Sequence, residues 1–90
     1  MENLETIISA FNNWSQPWNF YSFVKSNVQL TDWEKEKFEE VWETAMDSTN
    51  WKDADLILCC KMTQNKLKKM YNLSDDTIGK IVRAVSYDWK

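Results

Sequence analysis

The chain has 90 residues and a net charge of −3, which is the size of one domain. It has no histidine, no glycine-rich phosphate loop and no serine or cysteine beside a plausible base, so we expect no enzymatic activity, no metal and no cofactor. No apolar run approaches the roughly 18 residues of a membrane span. No signal peptide is visible at the N-terminus, which predicts a cytoplasmic protein.

Aromatic residues are unusually frequent, with six Trp, three Tyr and four Phe. A chain this short buries little surface, and each buried aromatic side chain removes roughly 150–250 Å² from water. We therefore expect most of these rings to build the core. The alternative is that some of them form an exposed binding surface in the N-terminal half.

The two cysteines, Cys59 and Cys60, are adjacent. Adjacent cysteines do not easily form an unstrained disulfide, and they do not match the spaced ligand patterns of metal sites. The sequence therefore predicts two reduced and mostly buried thiols.

Charge is divided unevenly along the chain. Residues 1–60 carry four basic and eleven acidic side chains, a net charge of −7, whereas residues 61–90 carry seven basic and three acidic side chains, a net charge of +4. A chain of this kind can present a cationic face to a polyanion while remaining acidic overall. The alternative is that the division has no functional meaning.

Three helices are predicted in the aromatic and acidic N-terminal part, residues 1–50. The first covers 4–13, and the second covers about 17–26 with Pro17 at its first position, although this aromatic segment would also suit a strand or an irregular buried stretch. The third begins at Thr31, which forms a capping box with Glu34, and ends near residue 47. Its apolar face consists of Phe38, Val41, Trp42, Ala45 and Met46.

A fourth helix is predicted at about 52–61. Residues 54–60 are apolar at nearly every position, and a helix that is apolar around most of its circumference is usually a central one. We therefore expect this helix to pack beneath its neighbours.

A short helix is predicted to follow at about 64–71, with Thr63 as its N-cap. Its inward-facing residues are expected to be Leu67, Met70 and Tyr71. Asn72 tolerates the left-handed backbone conformation that commonly ends a helix. The pattern therefore predicts a helix boundary on each side of this segment.

The last helix is predicted at about 75–85, after a turn that Leu73 fills. Ser74 is its expected N-cap, and Asp75 and Asp76 occupy the first turn, where the helix dipole favours negative charge. The buried face consists of Ile78, Ile81, Val82 and Val85. Two short helices joined by a three-residue turn have the geometry of a helix-turn-helix, here from about Lys61 to Val85.

The pattern resembles the tri-helical, helix-turn-helix DNA-binding modules of small phage and bacterial regulators. The matching residues are Gln64, Leu67, Asn72, Leu73, Ser74, Thr77, Ile78 and Ile81. The resemblance covers roughly residues 52–87, with helix 52–61 as the first of three, and Lys68 departs from it because the family usually has a small residue there. The expected fold is an all-α bundle of about five helices, forming one domain over residues 1–90 in which 51–90 hold the helix-turn-helix.

The resemblance implies a DNA-binding face, because the start of the second helix of such modules enters the major groove. The residues it implies are Lys66, Lys68, Lys69, Ser74, Gly79, Lys80 and Arg83. Lys80 and Arg83 suit phosphate or guanine contacts, whereas Asp75 and Asp76 would repel phosphates.

Two functions are open at this point. The first is a small transcriptional or replication regulator that binds double-stranded DNA as a dimer. The second is a phage-type acidic, Trp-rich protein that binds and inhibits or modulates a host protein on a helix-turn-helix-like scaffold. In either case the aromatic N-terminal half is the expected surface for a homodimer or a host partner.

Overall fold

The computed structural model describes residues 2–52 and 54–88. The described residues form five α-helices and no strand, which confirms the predicted all-α class. There are also two 3₁₀ helices: Pro17–Asn19 lies between the first and second α-helices, and Ser48–Trp51 lies between the third and fourth. The α-helices are α1 (Glu2–Ala10), α2 (Phe20–Lys25), α3 (Asp32–Met46), α4 (Leu56–Met70) and α5 (Asp75–Asp88).

Helix α5 occupies the middle of the bundle, where it packs against α1, α3, α4 and the 3₁₀ helix Pro17–Asn19. The shortest dimension of the molecule is 19 Å, about two helix diameters, so the helices form two layers. The buried residues of α5 are Thr77, Ile78, Ile81, Val82, Ala84, Val85 and Ser86. The predicted apolar face of this helix is therefore confirmed.

An aromatic cluster around Phe20 joins the N-terminal helices. The Phe20 side chain is fully buried, and the rings of Phe11, Trp14, Phe38 and Trp42 have their centroids 5.3–6.1 Å from its own. The rings meet edge-on, tilted or stacked, and such pairs add stability beyond the area that they bury. Phe11, Phe20 and Phe38 are buried in the core, and Trp14 and Trp42 pack partly buried against it, as the composition predicts.

The capping box at the start of α3 is confirmed. The backbone N–H of Glu34 donates to the Thr31 hydroxyl at 3.2 Å, and the backbone N–H of Thr31 donates to the Glu34 carboxylate at 2.9 Å. The hydrogen bond from the Thr31 backbone lowers the pKa of Glu34, because it favours the charged carboxylate. This reciprocal pairing satisfies two backbone donors where the helix begins.

Helix α4 runs without interruption through the boundary predicted at residue 63. Thr63 is buried, and its hydroxyl donates to the Cys59 carbonyl one turn earlier at 2.8 Å. The cap is instead Asp55, which accepts the backbone N–H groups of Ile57 and Leu58. The prediction of separate helices at 52–61 and 64–71 was wrong, because no glycine or proline interrupts this stretch and a threonine bonded to the preceding turn is compatible with a helix interior.

The first half of α4 is not central, contrary to the prediction. Ile57 is 69% exposed and Met62 is 50% exposed, and Leu58 is exposed as well. A continuous helix at the edge of a bundle buries one face only, so these apolar residues face outward. Cys59 is buried and Cys60 half-buried, no disulfide joins them, and burial raises the pKa of the Cys60 thiol.

The end of α4 also differs from the prediction. No described residue has a positive φ, so Asn72 does not provide a left-handed cap. The helix stops because Tyr71 adopts an extended backbone, with φ −132° and ψ 146°, and its hydroxyl lies 3.1 Å from that of Thr44 on α3. Met70, which was expected to face inward, is exposed.

Candidate functional site

The turn between α4 and α5 leads into a well-capped helix start. Leu73 is buried in the turn, as predicted. The backbone N–H of Thr77 donates to the Ser74 hydroxyl at 3.2 Å, which confirms Ser74 as the N-cap. The backbone N–H of Ser74 donates to the Glu5 carboxylate of α1 at 2.7 Å. A donor that could contact a phosphate at this helix N-terminus is therefore already bound to a carboxylate.

The hydrogen bond from the Ser74 backbone lowers the pKa of Glu5 below its usual 4.5. At a pH above the usual 4.5, ionised Glu5 therefore stabilises the folded state. This contribution is lost as the pH falls through the lower, folded-state pKa. We expect Glu5→Gln to reduce the free energy of unfolding most at neutral pH. Urea denaturation of both proteins across a pH series should show the difference shrinking below about pH 4.5, and a difference independent of pH would contradict this role of Glu5.

Two of the predicted DNA-contacting lysines are held by the two acidic residues that begin α5. The ammonium of Lys68 lies 2.6 Å from the Asp75 carboxylate, and that of Lys80 lies 2.7 Å from the Asp76 carboxylate. Asp76 also accepts a hydrogen bond from the Ser9 hydroxyl of α1 at 3.5 Å. Both carboxylates face solvent, so the positive potential that a phosphate would meet here is reduced.

Arg83 lies on the ring of Trp14, with its guanidinium carbon 4.3 Å from the ring centroid. This is cation–π geometry, which holds the guanidinium near the protein surface. One turn earlier, a side chain at Gly79 would meet no atom within 4 Å. Gly79 is therefore not required by a close contact inside the protein, and the surface of α5 is open at this position.

The two remaining predicted lysines face in different directions. Lys66 is half-buried and donates to the Asn50 side-chain oxygen at 3.4 Å, beside the 3₁₀ helix Ser48–Trp51. Lys69 is exposed and forms no ion pair within the described part of the chain. The structure thus places Ser74 just before α5 and Gly79, Lys80 and Arg83 on it. Of the four predicted lysines, Lys68 and Lys80 are paired with carboxylates.

Sequence-based prediction did not identify which apolar side chains are exposed. One group lies between α1 and α3 in the sequence: Trp18 in the 3₁₀ helix is 66% exposed, Phe23 on α2 is exposed, and Val28 after α2 is 93% exposed. We call Trp18, Phe23 and Val28 the aromatic surface. A second group, Ile57, Leu58 and Met62, lies on α4. These residues share one side of a continuous helix 56–70, so the 3.6-residue period would have predicted the group if the helix had been recognised as continuous.

No protein-family model, no curated protein and no solved structure matches this chain. None of the helices in residues 2–52 and 54–88 combines the length and apolar character that crossing a membrane requires. The function must therefore be inferred from the chemistry of the chain's own surfaces.

Proposed function

We propose that this protein acts by binding another protein through the aromatic surface. The observation that carries the proposal is the exposure of Trp18 in a small domain whose other aromatic residues largely build the core. Tryptophan is among the residues that contribute most to binding energy at protein interfaces. Exposed apolar side chains grouped on one part of a surface commonly mark such interfaces.

The aromatic surface is held by buried neighbours. Pro17 is buried beside Trp18, and Phe20 and Val24 anchor α2 in the core. The Phe23 ring lies 5.3 Å from that of Phe11. A surface that is already ordered loses little conformational freedom on binding, which favours affinity.

A partner protein suits the charge of the molecule better than a nucleic acid does. Asp75 and Asp76 pair with Lys68 and Lys80 beside the proposed DNA-contacting positions of α5, while residues 1–60 are strongly acidic. We infer a phage-type acidic protein that binds and modulates a host protein.

A pull-down with nuclease-treated lysate tests the proposal. We expect the wild-type chain to capture a stoichiometric partner protein. Trp18→Ala should weaken that capture by at least about tenfold, because truncating a tryptophan at the centre of an interface often costs about 2 kcal/mol or more. Met70→Ala is the matched control, because Met70 is also a large exposed side chain but lies at the end of α4, outside the aromatic surface. Loss of the captured protein on nuclease treatment, or equal capture by the Trp18 variant, would refute the proposal.

Double-stranded DNA is the second candidate ligand. It is favoured by the capped turn at Leu73 and Ser74, which joins two packed helices as in the DNA-binding modules that the sequence resembles. Lys80 and Arg83 would then supply the contacts to DNA. This candidate requires an affinity that falls steeply with rising salt, because phosphate contacts release bound counterions.

A further inference from the structure

The outward side of α4 combines apolar and basic residues and contains no carboxylate. We define the α4 outer face as Ile57, Leu58, Lys61, Met62 and Lys69, all of which are exposed. Between Leu56 and Met70 the helix carries four lysines and no acidic residue. Within the described residues, Lys68 is the only one of the four in an ion pair. The face therefore fits a surface that is acidic and partly apolar.

The outward side of α3 has the complementary chemistry. We define the α3 outer face as Asp32, Trp33, Glu36, Glu40 and Glu43, all of which are exposed. These positions share one side of the helix, because residues three, four and seven apart lie above one another. Among residues 2–52 and 54–88, one ion pair involves this face: Glu40 lies 3.6 Å from Lys37. The pair is exposed to solvent, so it contributes little and can rearrange.

We propose that the α4 outer face binds the α3 outer face of a second copy of this chain. A constant offset of 25 residues, with the two helices parallel, aligns Trp33 with Leu58 and Glu36 with Lys61. The same offset places Glu43 opposite Lys68, next to Lys69. An apolar contact near one end and two pairs of opposite charge further along therefore coincide in a single register.

The spacing along the two helices supports this pairing. Glu36 and Glu43 are about 10 Å apart along α3, and Lys61 and Lys69 are about 12 Å apart along α4, at 1.5 Å per residue. Helices α3 and α4 pack against each other within one copy. Since each copy carries both faces on neighbouring helices, two equivalent contacts can form around a two-fold axis and close a dimer.

This contact is separate from the aromatic surface, so it goes beyond the proposed function. A second copy is favoured over another acidic protein because the complementary charges and the tryptophan are present in the same chain in matching register. Pairs of opposite charge across an interface mainly determine which partner is accepted and in what orientation. Reversal of charge on either face should therefore prevent self-association.

Sedimentation velocity of the full chain over a range of concentrations tests the proposal. We expect a monomer–dimer equilibrium that weakens as salt increases. Lys61→Glu with Lys69→Glu, and separately Glu36→Lys with Glu43→Lys, should each raise the dissociation constant by at least about tenfold, because like charges then face each other. Mixing the two variants should restore the dimer, because both contacts in the mixed pair again join opposite charges.

The controls distinguish this contact from the proposed function and from misfolding. Lys52→Glu, an exposed charge outside both faces, and Trp18→Ala should leave the dimer unchanged. Leu58→Ala should weaken the dimer without changing any charge, because Leu58 is the proposed partner of Trp33, and circular dichroism should show an unchanged helix content. A wild-type chain that is monomeric up to millimolar concentration, or mixed variants that fail to associate, would overturn the proposal.

Discussion

Replacing Phe20 by alanine is expected to lower the free energy of unfolding by about 3–5 kcal/mol. The Phe20 side chain is fully buried and contacts four aromatic rings from two other parts of the N-terminal half, the connection after α1 and helix α3. Its removal leaves a cavity that stiff neighbouring rings cannot fill. Since a small domain is stable by only about 5–15 kcal/mol in total, much of the stability should be lost.

Urea denaturation followed by circular dichroism measures this loss. Phe23→Ala is the matched control, because Phe23 has the same side chain on the same helix but is partly exposed. We expect the control to lose less than half as much stability as the Phe20 variant. Equal losses from the two substitutions would mean that the aromatic cluster is not centred on Phe20.

Gln64→Pro is expected to destabilise the protein by about 3 kcal/mol or more, because proline inside a helix removes a backbone hydrogen bond and clashes with the preceding turn. Position 64 lies in the interior of α4, and its side chain is exposed. Had a separate helix begun at residue 64, as the sequence pattern predicted, proline would occupy its first position and would be well tolerated. The substitution therefore separates one continuous helix from two.

Thermal and urea unfolding of Gln64→Pro should be compared with Gln64→Ala. Alanine is the best helix former, so at an exposed interior position it should leave stability unchanged or slightly increased. A proline variant as stable as the alanine variant would show that α4 is broken near Thr63.

Several elements of this fold could be predicted because local sequence determines them. The capping box of Thr31 and Glu34 and the N-cap of Ser74 depend on side chains three residues from the groups that they bind. The buried face of α5 follows directly from its 3.6-residue period. Even the pair of Asp76 with Lys80, four residues apart, could have been expected from helix spacing.

Other features depend on tertiary contacts that local patterns do not encode. Thr63 has the residue type of a cap, but burial and the Cys59 carbonyl keep it inside α4. The end of α4 is set by Tyr71 rather than by Asn72, and the Tyr71 hydroxyl is close to Thr44, 27 positions away in the sequence. Ile57 is exposed because α4 lies at the edge of the bundle. The apolar composition of residues 54–60 predicted a central helix instead.

The same distinction explains the candidate DNA-binding residues. Their positions on the two helices could be predicted, but their partners could not. The contacts of Ser74 with Glu5, of Lys68 with Asp75 and of Arg83 with Trp14 join different helices or loops. Of the five cations that the sequence pattern singles out, carboxylates therefore balance Lys68 and Lys80, and the Trp14 ring contacts Arg83.

The acidic start of α5 also contributes to the structure itself. Negative charge in the first turn is favoured by the helix dipole, and Asp75 and Asp76 bind lysines of α4 and α5. Exposed pairs of this kind contribute only about 0–1 kcal/mol each. Their larger effect is on the surface potential, which they lower where a phosphate backbone would approach.

Titration of a labelled DNA duplex with the wild-type chain, followed by fluorescence anisotropy at low and physiological salt, tests most directly whether the protein acts through protein contacts rather than by reading DNA. We predict a dissociation constant in the micromolar range or weaker at physiological salt, with little change in Lys80→Ala or Arg83→Ala. Nanomolar binding that falls steeply with salt and is abolished by either substitution would contradict the proposal.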